Sequence, residues 1–351
     1  MSNFKIQDDW IDSFISTFLL NGVKKGSKIA ILCESQSQQF LVELSKIALN
    51  NLDAKYFLLE LPSAPSTHIH PIRSNGSTEC VNNYHFLIKS LSDCDLVVDC
   101  TVEGLLHTKF MKKLIQSGGK VFMISNEHPE ILSRLVPDQS LSKIADKSLE
   151  LISKSKRMTV KSSIGTNLDI EIKNAPSRSG CGFLRNDDKV AYWPSGLALF
   201  FPLPKTVNGT VTFNIGDANL TMKKYFESQV TFSIENDKVI EIQGSGLDTE
   251  LLKSYYQSWN DSNAYTVSHV GWGFNPKARW EALNFYDKAD INGTELRVFE
   301  GNFLFSTGAN EFADRFTNCH FDFPMRNCNI FLDDMQILEE GKFTKSFYDQ
   351  R

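Results

Sequence analysis

The first 150 residues alternate short apolar runs with amphipathic segments. Apolar runs occur at residues 27–35, 54–61, 94–100 and 119–125. The segment "QQFLVELSKIALNN", between the first two runs, repeats its apolar residues at the spacing of a helix. Continuous apolar strands separated by helices are typical of a parallel sheet covered on both faces. We therefore predict an α/β fold whose N-terminal domain, residues 1–152, is a Rossmann-like, doubly wound and mostly parallel sheet.

From about residue 153 the pattern changes to the period of two that is typical of strands. Segments such as "RMTVKSSIGTNLDIEIKN" and "QVTFSIENDKVIEIQGSG" alternate apolar and polar residues between turns. Two helices are predicted, in "DTELLKSYYQSW" and in "NPKARWEALNFY". The second would begin at Asn275 as its N-cap, with Pro276 in the first turn. We predict a C-terminal α+β domain over residues 153–351.

Composition and charge exclude several classes of function. The chain is 41% hydrophobic and 23% charged, and its net charge of -5 provides no basic field for a nucleic acid. A membrane-spanning helix needs about 18 consecutive uncharged apolar residues, and no run in this sequence is that long. The N-terminus also lacks the pattern of a signal peptide. We expect a cytoplasmic protein with reduced cysteines. The end of the first strand and the residues after it, "AILCESQSQQF", contain no glycine-rich phosphate loop, so no nucleotide site is predicted.

Few histidines are available for chemistry, seven in all. His107 follows the strand at residues 94–100, at the end of a parallel sheet where functional groups gather. His68 and His70 form an H-x-H pair in a polar loop, which is a weaker candidate for a metal site. His320 and Asp322, in "NCHFDFPMRN", would face the same way from a strand, with Phe321 and Phe323 on the other face.

A buried aspartate on such a strand needs a partner or a cation. About one H-x-[DE] triplet is expected by chance in this composition, so the triplet alone is weak. A hydrogen bond to His320, or an ion pair between Asp322 and Arg326, would also satisfy the carboxylate. His269, in a loop "SHVGWGFNP" with two glycines, adds a second imidazole. Two histidines and one carboxylate suit a non-haem Fe(II) oxygenase or a zinc hydrolase, and ligand type leaves both open.

The segments around these residues resemble a known family. "SHVGWGFNPKARW", "GNFLFSTGAN", "CHFDFPMRNCNIFLDD" and "YWPSG" resemble 2,5-dihydroxypyridine 5,6-dioxygenases, which are similar in architecture to the M29-type aminopeptidases. The resemblance implies that Fe²⁺ is held by His269, His320 and Asp322. A hydroxylated pyridine ring would be opened by O₂ to N-formylmaleamic acid, as in nicotinate degradation. His107 and Ser306 match polar residues of the family's pocket.

One position departs from the resemblance. A histidine is expected directly before the Trp-Pro of "YWPSG", where this chain has Tyr192. A phenol with a pKa of about 10 donates a hydrogen bond but is a poor base near neutrality. The catalytic residues expected from the resemblance are thus His107, Tyr192 and Ser306, and the substrate is expected to be 2,5-dihydroxypyridine or a related heteroaromatic.

Two other functions stay open at this point. The first is an M29-like metallo-aminopeptidase, although "SHVGWG" offers no glutamate for a second metal. The second is a non-catalytic relative that binds a small molecule. We also expect a homo-oligomer, because the aromatic-rich C-terminal half leaves apolar surface to bury.

Overall fold

The chain is described here from a computed structural model that covers residues 5–64, 70 and 76–349. Contacts between Cα atoms divide the chain into two compact units. Unit 1 comprises Met1–Gln139, Gly180–Ser195 and Asn284–Glu295, and unit 2 comprises Ser140–Ser179, Gly196–Leu283 and Leu296–Arg351. The sequence interpretation instead treats each domain as one continuous segment, divided after residue 152. The division into domains at residues 1–152 and 153–351 stays a prediction.

The described residues contain both helices and strands. The helices are α1 (Asp8–Leu20), α2 (Gln39–Asn51), α3 (Ile88–Ser92), α4 (Lys109–Gln116), α5 (Pro129–Arg134), α6 (Gln139–Lys154), α7 (Leu247–Ser258), α8 (Ala282–Phe285), α9 (Thr294–Val298) and α10 (Lys345–Asp349). The strands are β1 (Lys28–Glu34), β2 (Lys55–Leu61), β3 (Leu96–Asp99), β4 (Val121–Ile124), β5 (Arg157–Lys161), β6 (Asn167–Glu171), β7 (Ser177–Gly180), β8 (Val190–Trp193), β9 (Leu197–Phe200), β10 (Val207–Phe213), β11 (Ala218–Asn219), β12 (Lys224–Tyr225), β13 (Val230–Glu235), β14 (Lys238–Gln243), β15 (Val267–Gly273), β16 (Phe303–Asn310), β17 (Arg315–Met325), β18 (Asn329–Leu332), β19 (Met335–Glu339) and β20 (Lys342–Phe343). Within the described ranges, no helix combines the length and the apolar character needed to cross a membrane.

Unit 1 is built on a parallel sheet with the strand order β2-β1-β3-β4-β8. Successive residues of β1 point to opposite faces, and both faces are covered. Ile29 lies in a core that also contains Phe18 of α1, whereas Ala30 lies in a core that also contains Phe110 of α4. Burial on both faces explains why the strands are continuous apolar runs. The predicted doubly wound sheet is confirmed.

Unit 2 contains two larger antiparallel sheets. Their strand orders are β14-β13-β10-β6-β5-β18-β19-β20 and β17-β16-β15-β9-β7. Buried phenylalanines from the two sheets meet: the ring centroid of Phe213 on β10 is 4.7 Å from that of Phe323 on β17, and Phe232 on β13 is 6.4 Å from Phe305 on β16. One face of the five-stranded sheet is therefore its core face, and the alternate residues of β16 and β17 lie on the other face.

The predicted helix over "NPKARWEALNFY" is wrong for most of its length, because only α8 is helical. The backbone N–H of Asn275 donates to the carbonyl of Val298 at 2.9 Å, and Asn275 forms an isolated bridge with Phe299. Asn275 Oδ1 accepts a hydrogen bond from the backbone N–H of Lys277 at 3.0 Å. Asn275 thus closes a turn attached to a distant segment instead of capping a helix. The helix predicted in "DTELLKSYYQSW" is present as α7.

Candidate metal centre

Two neighbouring strands of unit 2 carry three of the candidate site residues. On β17, the Cα partners of His320 and Asp322 are Gly308 and Ser306 of β16. The side chains of His320 and Asp322 lie on one face, because residues two apart in a strand point the same way. His320 Nε2 is 3.3 Å from Asp322 Oδ1. The strand environment predicted for the H-x-D triplet is therefore present.

Phe321, between His320 and Asp322, and Phe323, directly after Asp322, anchor the opposite face of β17. The Phe321 ring stacks on that of Tyr256 from α7, with centroids 4.1 Å apart, and Phe323 packs against Phe213. Burying each such ring stabilises the fold by about 1.5–3 kcal/mol. If the pairing of β17 with β16 shifted by one residue, His320 and Asp322 would point into this aromatic core. The packing of the phenylalanines therefore fixes the direction of both side chains.

His269 lies on β15, in the middle of the sheet, and not in a loop as predicted from the sequence. Val267 pairs with Thr307 and Val270 pairs with Phe305, so β15 has one more residue than β16 across this interval. Such a β-bulge redirects a side chain. The imidazole of His269 contacts Ser306, with Nδ1 3.1 Å from the hydroxyl oxygen.

Glycines permit the close approach of these strands. A Cβ atom on Gly271 would lie 1.9 Å from the carbonyl oxygen of Ala198. Gly308, opposite His320, has a φ of +103°, and a Cβ atom there would lie 2.1 Å from the carbonyl oxygen of Cys319. Any other residue at position 308 would strain the backbone and push β17 away.

Three donor atoms converge in this arrangement. His269 Nε2 is 3.2 Å from His320 Nε2 and 3.7 Å from Asp322 Oδ1. All three side chains are at most 7% exposed. Donor atoms bound at about 2.1 Å from one ion and at right angles lie about 3 Å apart. The residues present therefore fit a single divalent transition-metal ion, whose identity the donors do not fix.

Ser306 links two of the candidate ligands. Its hydroxyl donates to Asp322 Oδ1 and is 3.1 Å from His269 Nδ1. A serine hydroxyl has one proton, so a hydroxyl that donates to the carboxylate must accept from His269 Nδ1–H. That tautomer leaves a lone pair on His269 Nε2, the atom that faces the other two donors.

The ion-pair partner of Asp322 is Arg297. Arg297 Nε donates to Asp322 Oδ2 at 2.6 Å. Burial by itself would raise the pKa of Asp322, but the positive charges of His320 and Arg297 outweigh burial and hold that pKa well below its usual range. The Asp322–Arg326 pair considered from the sequence is wrong, because the guanidinium of Arg326 lies over the Trp280 ring, 5.1 Å from its centroid.

An aromatic side chain flanks His269. The buried Phe201 meets the His269 ring edge to face, with centroids 5.6 Å apart, and also contacts Phe312 at 4.5 Å. Arg297 and Phe201 were both missed by the sequence interpretation. Neither belongs to a recognisable motif, and both lie far along the chain from the residues they contact.

His107 belongs to unit 1, in the loop between β3 and α4. Its φ of +65° lies in the left-handed region, which is uncommon for a residue other than glycine and recurs at functional sites. Asp99 fixes the loop by accepting hydrogen bonds from the backbone N–H groups of Thr101 at 3.0 Å and Leu105 at 2.7 Å. The catalytic role of His107 stays a prediction.

Tyr192 also belongs to unit 1, on β8, where its Cα partner is Met123 of β4. A Cβ atom on Gly180 would lie 2.6 Å from the Tyr192 hydroxyl oxygen, so the glycine leaves room for the phenol. Its role stays a prediction. Of the H-x-H pair, His70 is buried, whereas His68 lies outside the described residues.

A family profile and a curated relative both match this chain, and both carry the same enzyme name. A sequence profile described as NicX: 2,5-dihydroxypyridine 5,6-dioxygenase matches residues 9–345. The 2,5-dihydroxypyridine 5,6-dioxygenase of Pseudomonas putida is 30% identical over 331 residues, which cover 92% of each chain.

Solved structures give the same result. The structure of 2,5-dihydroxypyridine dioxygenase from Pseudomonas putida KT2440 aligns with a TM-score of 0.90 and 28% identity, covering 97% of this chain and 98% of that one. AmpT from Thermus thermophilus aligns with a TM-score of 0.64 and 12% identity over 96% and 99% of the two chains, which shows a shared fold alone. The resemblance found in the motifs, including its relation in architecture to M29-type aminopeptidases, is confirmed.

Proposed function

The chain belongs to the 2,5-dihydroxypyridine 5,6-dioxygenase family, and on that premise we propose that it uses Fe²⁺ to open a hydroxylated pyridine ring with O₂. The family identifies the chain as a ring-cleaving dioxygenase that acts on a small molecule. The observation that carries the finer proposal is the convergence of His269 Nε2, His320 Nε2 and Asp322 Oδ1 within 3.7 Å of one another.

His269, His320 and Asp322 would hold the metal ion. When bound there, a ferrous ion would supply electron transfer between the hydroxylated ring and O₂. The ionised Asp322 contributes one negative charge to the site. Ser306 orients both His269 and Asp322, and the apolar Phe201 limits the access of water to the His269 ring.

The proposed reaction opens 2,5-dihydroxypyridine to N-formylmaleamic acid, with both oxygen atoms of O₂ entering the product. His107 and Tyr192 are proposed to hydrogen-bond the substrate. Because a phenol retains its proton near neutrality, Tyr192 acts as a donor, and the proton of the ring hydroxyl leaves to another base. A closely related hydroxylated heteroaromatic is therefore included in the proposed substrate class.

The cellular setting is part of the same proposal. We propose a role in nicotinate degradation in the cytoplasm and assembly as a homo-oligomer, as expected from the sequence. Light scattering of the purified chain measures the oligomeric state directly.

One experiment separates this function from the two alternatives. The full chain is purified without O₂, its metal content is measured, and O₂ uptake is followed with 2,5-dihydroxypyridine and related diols. Leucine anilide is assayed in parallel. One iron per chain with O₂ uptake supports the proposal. Anilide cleavage with two metal ions per chain would establish an aminopeptidase, and binding of diols without O₂ uptake after Fe²⁺ is restored would establish a non-catalytic relative.

A further inference from the structure

We propose that Arg297 is a positioning residue that fixes the direction of the Asp322 carboxylate, so that Asp322 binds the metal ion through one oxygen. The inference rests on the proposed metal centre and adds a residue to it. Arg297 acts through the carboxylate. It lies on the short helix α9, 25 residues before Asp322 in the chain.

The two oxygen atoms of Asp322 have different partners. Oδ2 accepts from Arg297 Nε at 2.6 Å. Oδ1 accepts from the Ser306 hydroxyl and faces His320 Nε2 at 3.3 Å and His269 Nε2 at 3.7 Å. With Oδ2 committed to the guanidinium, only Oδ1 remains directed at the two imidazoles. The carboxylate therefore offers the metal a single oxygen in a fixed direction.

Charge and burial make this contact strong. The side chain of Asp322 is 5% exposed and that of Arg297 is 21% exposed, so solvent screens the pair weakly. An ionised carboxylate in such a place requires a cation or several hydrogen bonds. The contact from Arg297 Nε, 2.6 Å from Asp322 Oδ2, supplies such a cation.

The backbone that carries Arg297 is itself fixed within unit 2. The buried Asn302 side chain donates to the carbonyl oxygens of Leu296 at 3.2 Å and Arg297 at 2.9 Å. The carbonyl of Val298 accepts from the N–H of Asn275, shortly after β15. Helix α9, which carries Arg297, is thus hydrogen-bonded to the segment that directly follows the strand with His269, and this restrains the position of the guanidinium.

The test is an anaerobic titration of the full chain with Fe²⁺ alone, repeated with Co²⁺ to record its visible absorption spectrum. The variants are Arg297→Gln, Arg297→Lys, Asp322→Ala and the double variant Arg297→Gln/Asp322→Ala. Arg157→Gln is the matched control, because Arg157 forms an exposed ion pair with Asp169 on another sheet of unit 2. Circular dichroism confirms that each variant is folded.

We expect Arg297→Gln to weaken metal affinity about 10- to 100-fold, as is typical when a group that orients a ligand is lost. Arg297→Lys keeps the charge but not the planar guanidinium, so it should bind more tightly than Arg297→Gln and alter the Co²⁺ spectrum. Arg157→Gln should match the wild type. In the double variant, the loss of Arg297 should add nothing to the loss of Asp322.

Two results have distinct meanings. If Arg297→Gln and Arg297→Lys both keep wild-type affinity and spectrum while Asp322→Ala loses the metal, the positioning role is overturned and the metal centre stands. If Asp322→Ala binds as the wild type does, the proposed metal centre itself is wrong. Should Arg297→Gln fail to fold, the affinity and spectrum of Arg297→Lys decide the question alone.

Discussion

Asp322 shows how much chemistry a single side chain contributes in this fold. Its backbone position follows from the alternation of β17 and its direction from the phenylalanines beside it. Its pKa is held low by the neighbouring His320 and Arg297. A different acceptor such as asparagine would retain the shape but not the negative charge. The ionised carboxylate is therefore the feature that distinguishes a metal ligand from a mere hydrogen-bond acceptor at this position.

The residue at position 192 provides a test of the acid–base chemistry. Tyr192→Phe removes the hydroxyl and leaves the candidate ligands unchanged, so iron content should equal that of the wild type. Loss of one hydrogen bond to the substrate should lower kcat about 10- to 100-fold. Tyr192→His should shift the pH profile of kcat, because an imidazole titrates near neutrality. Steady-state O₂ uptake and iron analysis give both quantities. Loss of iron in Tyr192→Phe would contradict this assignment.

The buried Asp99, beneath the His107 loop, predicts a dependence of stability on pH. Burial raises the pKa of Asp99 from 3.8 to about 6, against the hydrogen bonds from Thr101 and Leu105. The folded state therefore binds this proton more tightly than the unfolded chain. Its stabilising contribution is full below pH 3.8 and is lost as the pH rises through about 6.

The rise in the pKa of Asp99 from 3.8 to about 6 corresponds to about 3 kcal/mol of unfolding free energy. Urea unfolding of the wild type and Asp99→Asn between pH 3.5 and 7.5 measures this effect. The stability advantage of the wild type over Asp99→Asn should shrink by that amount as the pH rises. A constant difference across the range would show that Asp99 does not titrate in this way.

At the scale of the element, strand pairing determines which residues meet. The period of two in "CHFDF" was sufficient to predict that His320 and Asp322 share a face, because a strand with one aromatic face has a single favourable orientation. The position of His269 on a strand could not be predicted. Its glycines suggested a loop, and the bulge between Val267 and Val270 depends on the pairing with β16.

Gly308 tests the dependence of the site on strand pairing. In Gly308→Ala, the new Cβ would meet the carbonyl oxygen of Cys319 at 2.1 Å in a backbone with φ +103°. We expect a loss of at least about 3 kcal/mol in unfolding free energy, together with weaker iron binding, because β17 carries two of the three proposed ligands. Urea unfolding and iron titration measure the two effects.

Gly22 is the matched control for that variant. Its φ of +79° imposes similar backbone strain, but nothing lies within 4 Å of a Cβ at that position. Gly22→Ala should cost only about 1–2 kcal/mol and leave iron binding unchanged. Equal effects of the two substitutions on iron binding would show that the contact between β16 and β17 does not matter for the site.

At the scale of the whole molecule, the class of fold could be predicted from the sequence. Which distant segments of the chain join each compact unit could not. Apolar runs identify the parallel sheet, since both of its faces are buried, and alternation identifies the antiparallel part. Compact unit 1 nevertheless includes Gly180–Ser195 and Asn284–Glu295. No local sequence pattern predicts that these two segments belong to it. The role of Arg297 could not be predicted for the same reason. Its contact with Asp322 joins the short helix α9 to a strand far along the chain.

The central claim is that His269, His320 and Asp322 hold the iron that ring opening requires. The most direct measurement is the iron content and ring-opening rate of the wild type and of the three single alanine variants, each reconstituted with Fe²⁺ without O₂. The wild type should retain one iron per chain and consume one O₂ per ring, and each variant should lose both iron and activity. Full iron occupancy with wild-type ring opening in Asp322→Ala would contradict the account.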